Sequence, residues 1–429
     1  MRRIRVSLWL LGLLLLLAPL AWAGGTKEAT TSPAGKAAIQ GSIRVWGDTQ
    51  NETITSKPFQ EINAAFMKEY PNVKVTYDFG ENNETLQVAI QSDSLPDAFY
   101  LGGNKNPQTA ELARAGKLLD LTGKIDNMSM YTDQNIIDYI TVDGKVICSP
   151  TGFLDSQLVY YNKDIFQKQG ISLPKTFNDF LALCDKLLAA GIQPIAMPGA
   201  AVWDNSWAAF AFFADFASDA LLRIYHGKGT WNDPDIEKAF NYTRLLAEKG
   251  YYGKNYAGMN QQDAQLSFTS GKAAMYVDGT WEESVYGGSG LNLGRFYIPN
   301  DQGVRIGCLS VSNYMTYAVS AKTKYPEAAV AYVNFLAQLP AQQIMENDAF
   351  LPIMIKGIKP ANDVVNELSG FDRLGAQMHQ VATACDTDKS KPDDLLMSTI
   401  IPQLIQLKIT GKEACAMMDK ASTYPKPTN

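Results

Sequence analysis

Two apolar periods alternate along this chain of 429 residues. Ser42 to Trp46, "SIRVW", reads as a strand that Gly47-Asp48 ends. Phe59, Ile62, Phe66 and Met67 share one face at three-and-four spacing, which predicts a helix that Pro71 stops. Val73, Val75, Tyr77 and Phe79 alternate with Lys74, Thr76 and Asp78, the period of a second strand. Leu86, Ala89 and Ile90 mark a short helix, "PDAFYLGG" a third strand, and "PQTAELARAGKLLDLT" a further helix with Gly116 at its end. Strand and helix in this rhythm predict an α/β fold, a mostly parallel sheet with helices on both faces.

A second block opens after "DGKVICSP". "SQLVYYN" reads as a strand, and Phe177, Phe180, Leu181, Cys184, Leu187 and Leu188 form an apolar helix face closed by Gly191. "IQPIAMPG" is a strand, "NSWAAFAFFADFASDALL" a buried helix, and Asp233-Pro234 starts a surface helix. In "KAAMYVDGTWEES" the apolar run Ala273–Val277 meets a turn at Asp278-Gly279, with Trp281, Glu282 and Glu283 just beyond. Tyr314 to Val319 reads as a strand and "KYPEAAVAYVNFLA" as a helix, followed by "AFLPIMIKG" and mostly helical sequence.

The first residues stand outside this pattern. Arg2, Arg3 and Arg5 precede an apolar core, Leu8 to Leu20, and a small-x-small site at Ala21-Trp22-Ala23. That layout is a secretory signal peptide, 1–23, and the small polar stretch 24–40 reads as a flexible leader. No cysteine near the cleavage site offers a lipid anchor, so a periplasmic protein is expected. Cleavage leaves 35 basic against 44 acidic residues, a net charge of −9, which disfavours nucleic acid and anionic membranes as partners. The remaining length suits two or three domains.

Composition also narrows the chemistry. Five cysteines without a CxxC form no disulfide framework; buried thiols are expected, with Cys385–Cys415 the one pairing considered. Two histidines, His226 and His379, leave little for zinc sites or serine-histidine triads, and no metal or cofactor is expected. "DTDKSKPDD", from Asp386, lacks the central glycine and distal glutamate of a calcium loop. Glu282 and Glu283 are adjacent, diverge on a strand or turn, and are expected at a rim or surface rather than flanking a scissile bond. What remains is aromatic and polar residues at strand ends, where open α/β sheets bind ligands. They are Trp46 and Asp48; Asn104 after the third strand; Phe153 and Asp155 entering the second block; Trp203 and Trp207 after "IQPIAMPG"; and Asp278 and Trp281. Flat rings stack on the C–H face of a sugar and carboxylates accept its hydroxyls; the same groups can cage a cation, and each ring taken alone can equally be core.

Read in order, "IRVWGD", "FMKEYPNVKVTYDF", "LQVAIQSDSLPDAFYLGG", the segment "DGKVICSPTGFLDSQLVYYNKDIFQKQGISLPKTFNDFLALCDKLLAAGIQPIAM", "GKAAMYVDGTW", "YPEAAVAYVNFLA" and "FLPIMIKG" resemble the family 1 extracellular solute-binding proteins of ABC importers, the maltose and multiple-sugar type. The resemblance spans nearly the whole mature chain. It implies two α/β lobes, each with a mostly parallel sheet, joined by a hinge the chain crosses more than once. The lobes would be 41–149 with 311–348, and 150–310 with 349–429. It implies no catalysis, a monomer that closes on a sugar, and delivery to a membrane permease. It assigns ligand contact to Trp281, to the region of Asp48, to Asn104, to Phe153 and Asp155, and adds Asn313 and Tyr314. Two departures affect the sugar: no tryptophan follows Trp281, and Gly102-Gly103-Asn104 stands where relatives often carry an acid. Three readings stay open: a carbohydrate-binding protein, the same fold holding a polyamine or glycerophosphodiester, and an exported carbohydrate-active enzyme.

Overall fold

The computed structural model describes residues 33–49, 52–103, 107–126, 128–131, 135–150, 156–308, 316–349, 355–359, 363–387 and 389–426. Strand β1 (Gly41–Asp48), helix α1 (Glu52–Glu69), β2 (Val73–Glu81), β3 (Ala98–Tyr100) and β4 (Cys148–Pro150) come first. Next are β5 (Gln157–Asn162), α2 (Phe177–Ala189), β6 (Gln193–Ala196), α3 (Trp207–Tyr225) and α4 (Pro234–Glu248). They are followed by β7 (Ala273–Gly279), α5 (Glu283–Gly287), β8 (Leu293–Phe296), β9 (Ile306–Cys308) and β10 (Thr316–Val319). Helices α6 (Pro326–Leu336), α7 (Leu339–Ala349) and α8 (Asp363–Leu368), strand β11 (Arg373–Gly375), and helices α9 (Met378–Thr383) and α10 (Pro392–Leu395) complete the elements used below.

Two sheets organise two cores. The first has the order β2-β1-β3-β10-β4 and the second β8-β5-β7-β6. Strands β1, β2 and β3 are parallel, as are β6 and β7. Strand β10 runs antiparallel to both neighbours, and so does β5. The two-lobe α/β class holds, each sheet having one reversed strand among strands that otherwise run the same way. The reason is connectivity: β5 and β10 open a lobe just after the chain has left the other sheet. A strand that enters where its neighbours finish must run against them.

Local chemistry sets the helix boundaries. Thr176 caps α2 in a reciprocal pair with Asp179, and Gly191 follows the helix in the left-handed region. Its buried face is Phe177, Phe180, Leu183, Cys184 and Leu187, while Leu188, expected inward, is exposed. Asp233 caps α4 and Pro234 occupies its first turn. Helix α3 is buried almost all round because it packs against α4, α9 and the second sheet.

Several expectations shift. Residues 33–36, at the end of the expected leader, form a helical turn docked on α1: Lys36 reaches Glu69 at 2.5 Å and lies 5.6 Å from the Tyr70 ring. Residues beyond 349 do not pass directly to the second core. Helix α7 packs on α1, Ile355 bridges Tyr131 in the first core, and the Lys356 N–H donates to Met130 O at 2.8 Å. Strand β11, too short to show a period, pairs in parallel with β9. Cys385 and Cys415 are separate buried thiols in the second core rather than a disulfide. Among the described residues no helix is long and apolar enough to cross a membrane.

Glu283 is the largest correction in this region. It was expected at a rim, yet it is 5% exposed. Arg295 Nε donates to Glu283 Oε2 at 2.5 Å, a second guanidinium nitrogen donates to Oε1, and Nη1 donates to Glu367 Oε2 at 2.9 Å. Lys163 closes the chain on Glu367 Oε1 at 3.2 Å. Burial raises the Glu283 carboxyl and Arg295 opposes the rise. Removing one partner strands a buried charge, so Glu283→Ala is expected to lower unfolding free energy by about 3 kcal/mol. The double change Glu283→Leu/Arg295→Met should recover most of it, measured by urea denaturation.

Candidate ligand site

Strand polarity gathers the candidates. The carboxyl ends of β1, β2, β3 and β4 share one edge of the first sheet with the start of β10. The carboxyl ends of β6, β7 and β8 share one edge of the second sheet with the start of β5. Pro150 leaves the first edge and Gln157 enters the second. Seven peptide steps span at most about 25 Å, so the two edges must lie close together.

The second edge carries a row of tryptophans. Strand β7 ends at Gly279, where a Cβ would lie 2.2 Å from the six-membered ring of Trp281. Only glycine lets that ring settle onto the strand end. Thr280 N–H donates to Ser156 O at 2.9 Å and Tyr160 Oη donates to Gly279 O at 3.0 Å, which anchor the turn to β5. Trp281 is half-buried and packs against the first core. On its other side Trp207, the first residue of α3, meets it edge-to-face at 5.2 Å. Trp203 lies 6.4 Å from Trp207 and is 38% exposed. Its backbone, at φ 78° and ψ −66°, has the geometry of a strained γ-turn, an unusual state for a bulky residue.

Polar groups frame the row. Asp204 and Glu282 are half-buried, and burial raises both carboxyls; the Asp204 charge raises Glu282 further. The Trp207 indole N–H, buried and without a hydrogen bond of normal length, lies on the Asp204 side and favours its ionised form. His379 meets Trp203 edge-to-face at 4.8 Å, and its Nδ1 stands 2.5 Å from Asp393 Oδ1, which assigns the ring proton to Nδ1. Gln157, directly opposite Gly279 in the ladder, is 2% exposed, and neither amide atom has a hydrogen-bond partner among the described residues.

The first edge carries acids. Asp48 and Glu81 are opposite in register and both buried. Burial, then the Asp48 charge, pushes the Glu81 carboxyl up to about 7. Thr49 ties the two ends together, its single hydroxyl proton shared between Phe79 O at 2.8 Å and Glu81 O at 2.7 Å.

The expected residues therefore separate. Trp203, Trp207 and Trp281 are brought together, and Asp48 lies at the first edge. Trp46 alternates with Val45 along β1; it is half-buried, packs against the first core and lies under the Arg44 guanidinium, which is 5.2 Å from its ring. Asp278 is fully buried: Tyr286 Oη donates to it at 2.5 Å and the Gly279 N–H at 2.8 Å. Burial holds its carboxyl well above the usual range. Asn104, Phe153, Asp155, Asn313 and Tyr314 lie outside the described residues. Sequence reading missed Glu81, Gln157 and His379. Glu81 had a signal, an acid just past Phe79-Gly80 at a strand end; the other two become neighbours of the row only through long-range packing.

A cavity of about 620 Å³ lies apart from the row, lined by Lys163, Glu283, Arg295 and Glu367 among others, whose charges are already matched. Among the described residues no group of three histidine, cysteine or carboxylate side chains is placed to hold a metal.

Two α/β lobes meeting at their strand ends, with an aromatic row between them, define a solute-binding architecture. The chain belongs to the family described as bacterial extracellular solute-binding protein, whose sequence pattern matches residues 50–343. It is 28% identical over 324 residues to an ABC transporter extracellular-binding protein of Pyrococcus horikoshii, covering 73% of each chain. It is 26% identical over 394 residues to the galactooligosaccharide-binding protein of Bacillus subtilis, covering 85% of this chain and 86% of that one. In structure it resembles RafE of Streptococcus pneumoniae, with a TM-score of 0.70 at 21% identity over 90% of this chain and 97% of that one.

The Glu81 environment makes stability pH-dependent. Between about 4.5 and about 7 the folded protein keeps a proton that the unfolded chain has lost, so stability falls as pH rises through this window. Glu81→Gln should flatten that slope and raise unfolding free energy at pH 8 by about 3 kcal/mol, measured by denaturation of ligand-free protein across pH.

Proposed function

We propose that this protein captures a carbohydrate between its two lobes and delivers it to the permease of an ABC importer. The observation that carries this reading is the Trp203–Trp207–Trp281 row at the strand-end edge, with Asp204 and Glu282 beside it in the chain and Trp281 packed against the other lobe. Flat indoles match the apolar faces of pyranose rings, and the acids accept hydroxyl hydrogens. The relative from Bacillus subtilis named for galactooligosaccharide binding supports the same class. No described lysine or arginine offsets Asp204 or Glu282, which weighs against a phosphate-bearing ligand. We read the protein as non-catalytic, exported after removal of residues 1–23, and acting as a periplasmic monomer. Asn104, Phe153, Asp155, Asn313 and Tyr314 are proposed contacts alongside Asp48 and the tryptophans.

Calorimetric titration with mono- and oligosaccharides, including galacto-oligosaccharides and raffinose, tests the reading. Tight binding without product formation is expected, with a higher Tm in saturating sugar. Turnover, or no affinity for any sugar, would overturn it. Trp281→Ala is expected to weaken binding by about 1–3 kcal/mol, with a small change in Tm. Gly279→Ala should weaken binding too, because its Cβ displaces the same ring. Unchanged affinity in Trp281→Ala with a large fall in Tm would show the ring to be core alone.

A further inference from the structure

Two half-buried carboxylates, Asp204 and Glu282, sit beside the tryptophan row, and no described lysine or arginine pairs with either. Asp204 opens the turn into α3, and Glu282 follows Trp281. Among the described residues no lysine or arginine lowers either carboxyl, and the charge that Glu282 feels is Asp204. Glu283, one residue on, shows the alternative. It turns to the other side and is neutralised by Arg295. Leaving Asp204 and Glu282 half-buried and uncompensated costs solvation that a neutral hydroxyl repays poorly.

A second observation points the same way. Residues directly opposite in an antiparallel pair project to the same face. The Trp281 ring covers the face to which a Cβ at Gly279 would project, so Gln157, opposite Gly279, is aimed at that face as well. Its amide is buried with both atoms unpartnered among the described residues. The exposed Trp203 with the half-buried Trp207 and Trp281, two carboxylates and an unpartnered amide oxygen together match a protonated amine. The rings attract it through their quadrupole, and the oxygens accept its N–H groups.

We propose that the sugar held on this row carries a protonated amine, an amino sugar rather than a neutral or acidic one, with Asp204 and Glu282 as its counter-charges and Gln157 as a further acceptor. The sugar half of this assignment rests on the carbohydrate reading above; the charge half rests on the carboxylates.

Matched pairs test it. Glucosamine against glucose, galactosamine against galactose, and the β-1,4 glucosamine disaccharide against cellobiose each exchange hydroxyl for ammonium on one scaffold. N-acetylated counterparts remove the charge, and spermidine is an amine without a sugar ring. Calorimetry at pH 7 and low salt should show the amine bound about tenfold or more tighter in at least one pair. The gain should vanish on acetylation and shrink with added sodium chloride. Asp204→Asn and Glu282→Gln should each narrow the gap between the two members of that pair. Equal or tighter binding of the neutral member in every pair overturns the proposal and leaves the carbohydrate reading standing. Binding of spermidine with none of the sugars overturns the carbohydrate reading and the amino-sugar assignment with it. Failure of every amine to bind overturns the proposal outright.

Discussion

The site depends on one constraint of chain path: the chain passes between its sheets at the edges where parallel strands end. Pro150 leaves one edge and Gln157 enters the other a few residues later. A strand entering at that edge must run against its neighbours, so β5 and β10 are antiparallel within otherwise parallel sets. The same geometry turns the strand-end loops of both lobes toward a common space. It seats Trp281 between Trp207 of its own lobe and the apolar core of the other. A ring in that position is sensitive to how the lobes approach, which is what a ligand-driven closure needs.

Neighbouring acids in this region meet opposite fates. Asp278 alternates inward on β7 and is held by Tyr286 in a buried pair. Glu283 lies under β8, where Arg295 and Glu367 complete a charge-balanced chain. Glu282, between them in sequence, is half-buried and within reach of the Asp204 charge. Short-range backbone geometry produces this divergence: a strand end, a tight turn and the first turn of α5 point successive side chains in different directions.

Much of the fold was legible because strand and helix periods are local. The alternation from Val73 to Phe79, the helix start at Asp233-Pro234 and the Gly191 stop each appear as expected, while the Thr176 cap emerged only with the structure. Strand β11 was not legible, since three residues carry no period and only pairing with β9 makes it a strand. The docked turn at 33–36 was hidden too; its polar sequence resembles a leader until Lys36 meets Glu69 and Tyr70. In the site, Trp203, Trp207 and Trp281 were legible as aromatics after strands. That they form one row was not, because Trp281 is brought to the other two by pairing of β6 with β7 and packing of α3.

The sequence by itself determined where the elements begin and end, which residues close the strands, and hence which could reach a shared edge. These follow from spacings of two to four residues and from turn chemistry. Only the tertiary structure decided which face each of those residues takes and what it meets there. Trp46 lies under Arg44, Asp278 goes into the core, Glu283 finds Arg295, and Asp204 and Glu282 have no counter-charge among the described residues. Charge compensation and ring stacking act through space between residues far apart in the chain, so no local pattern encodes them.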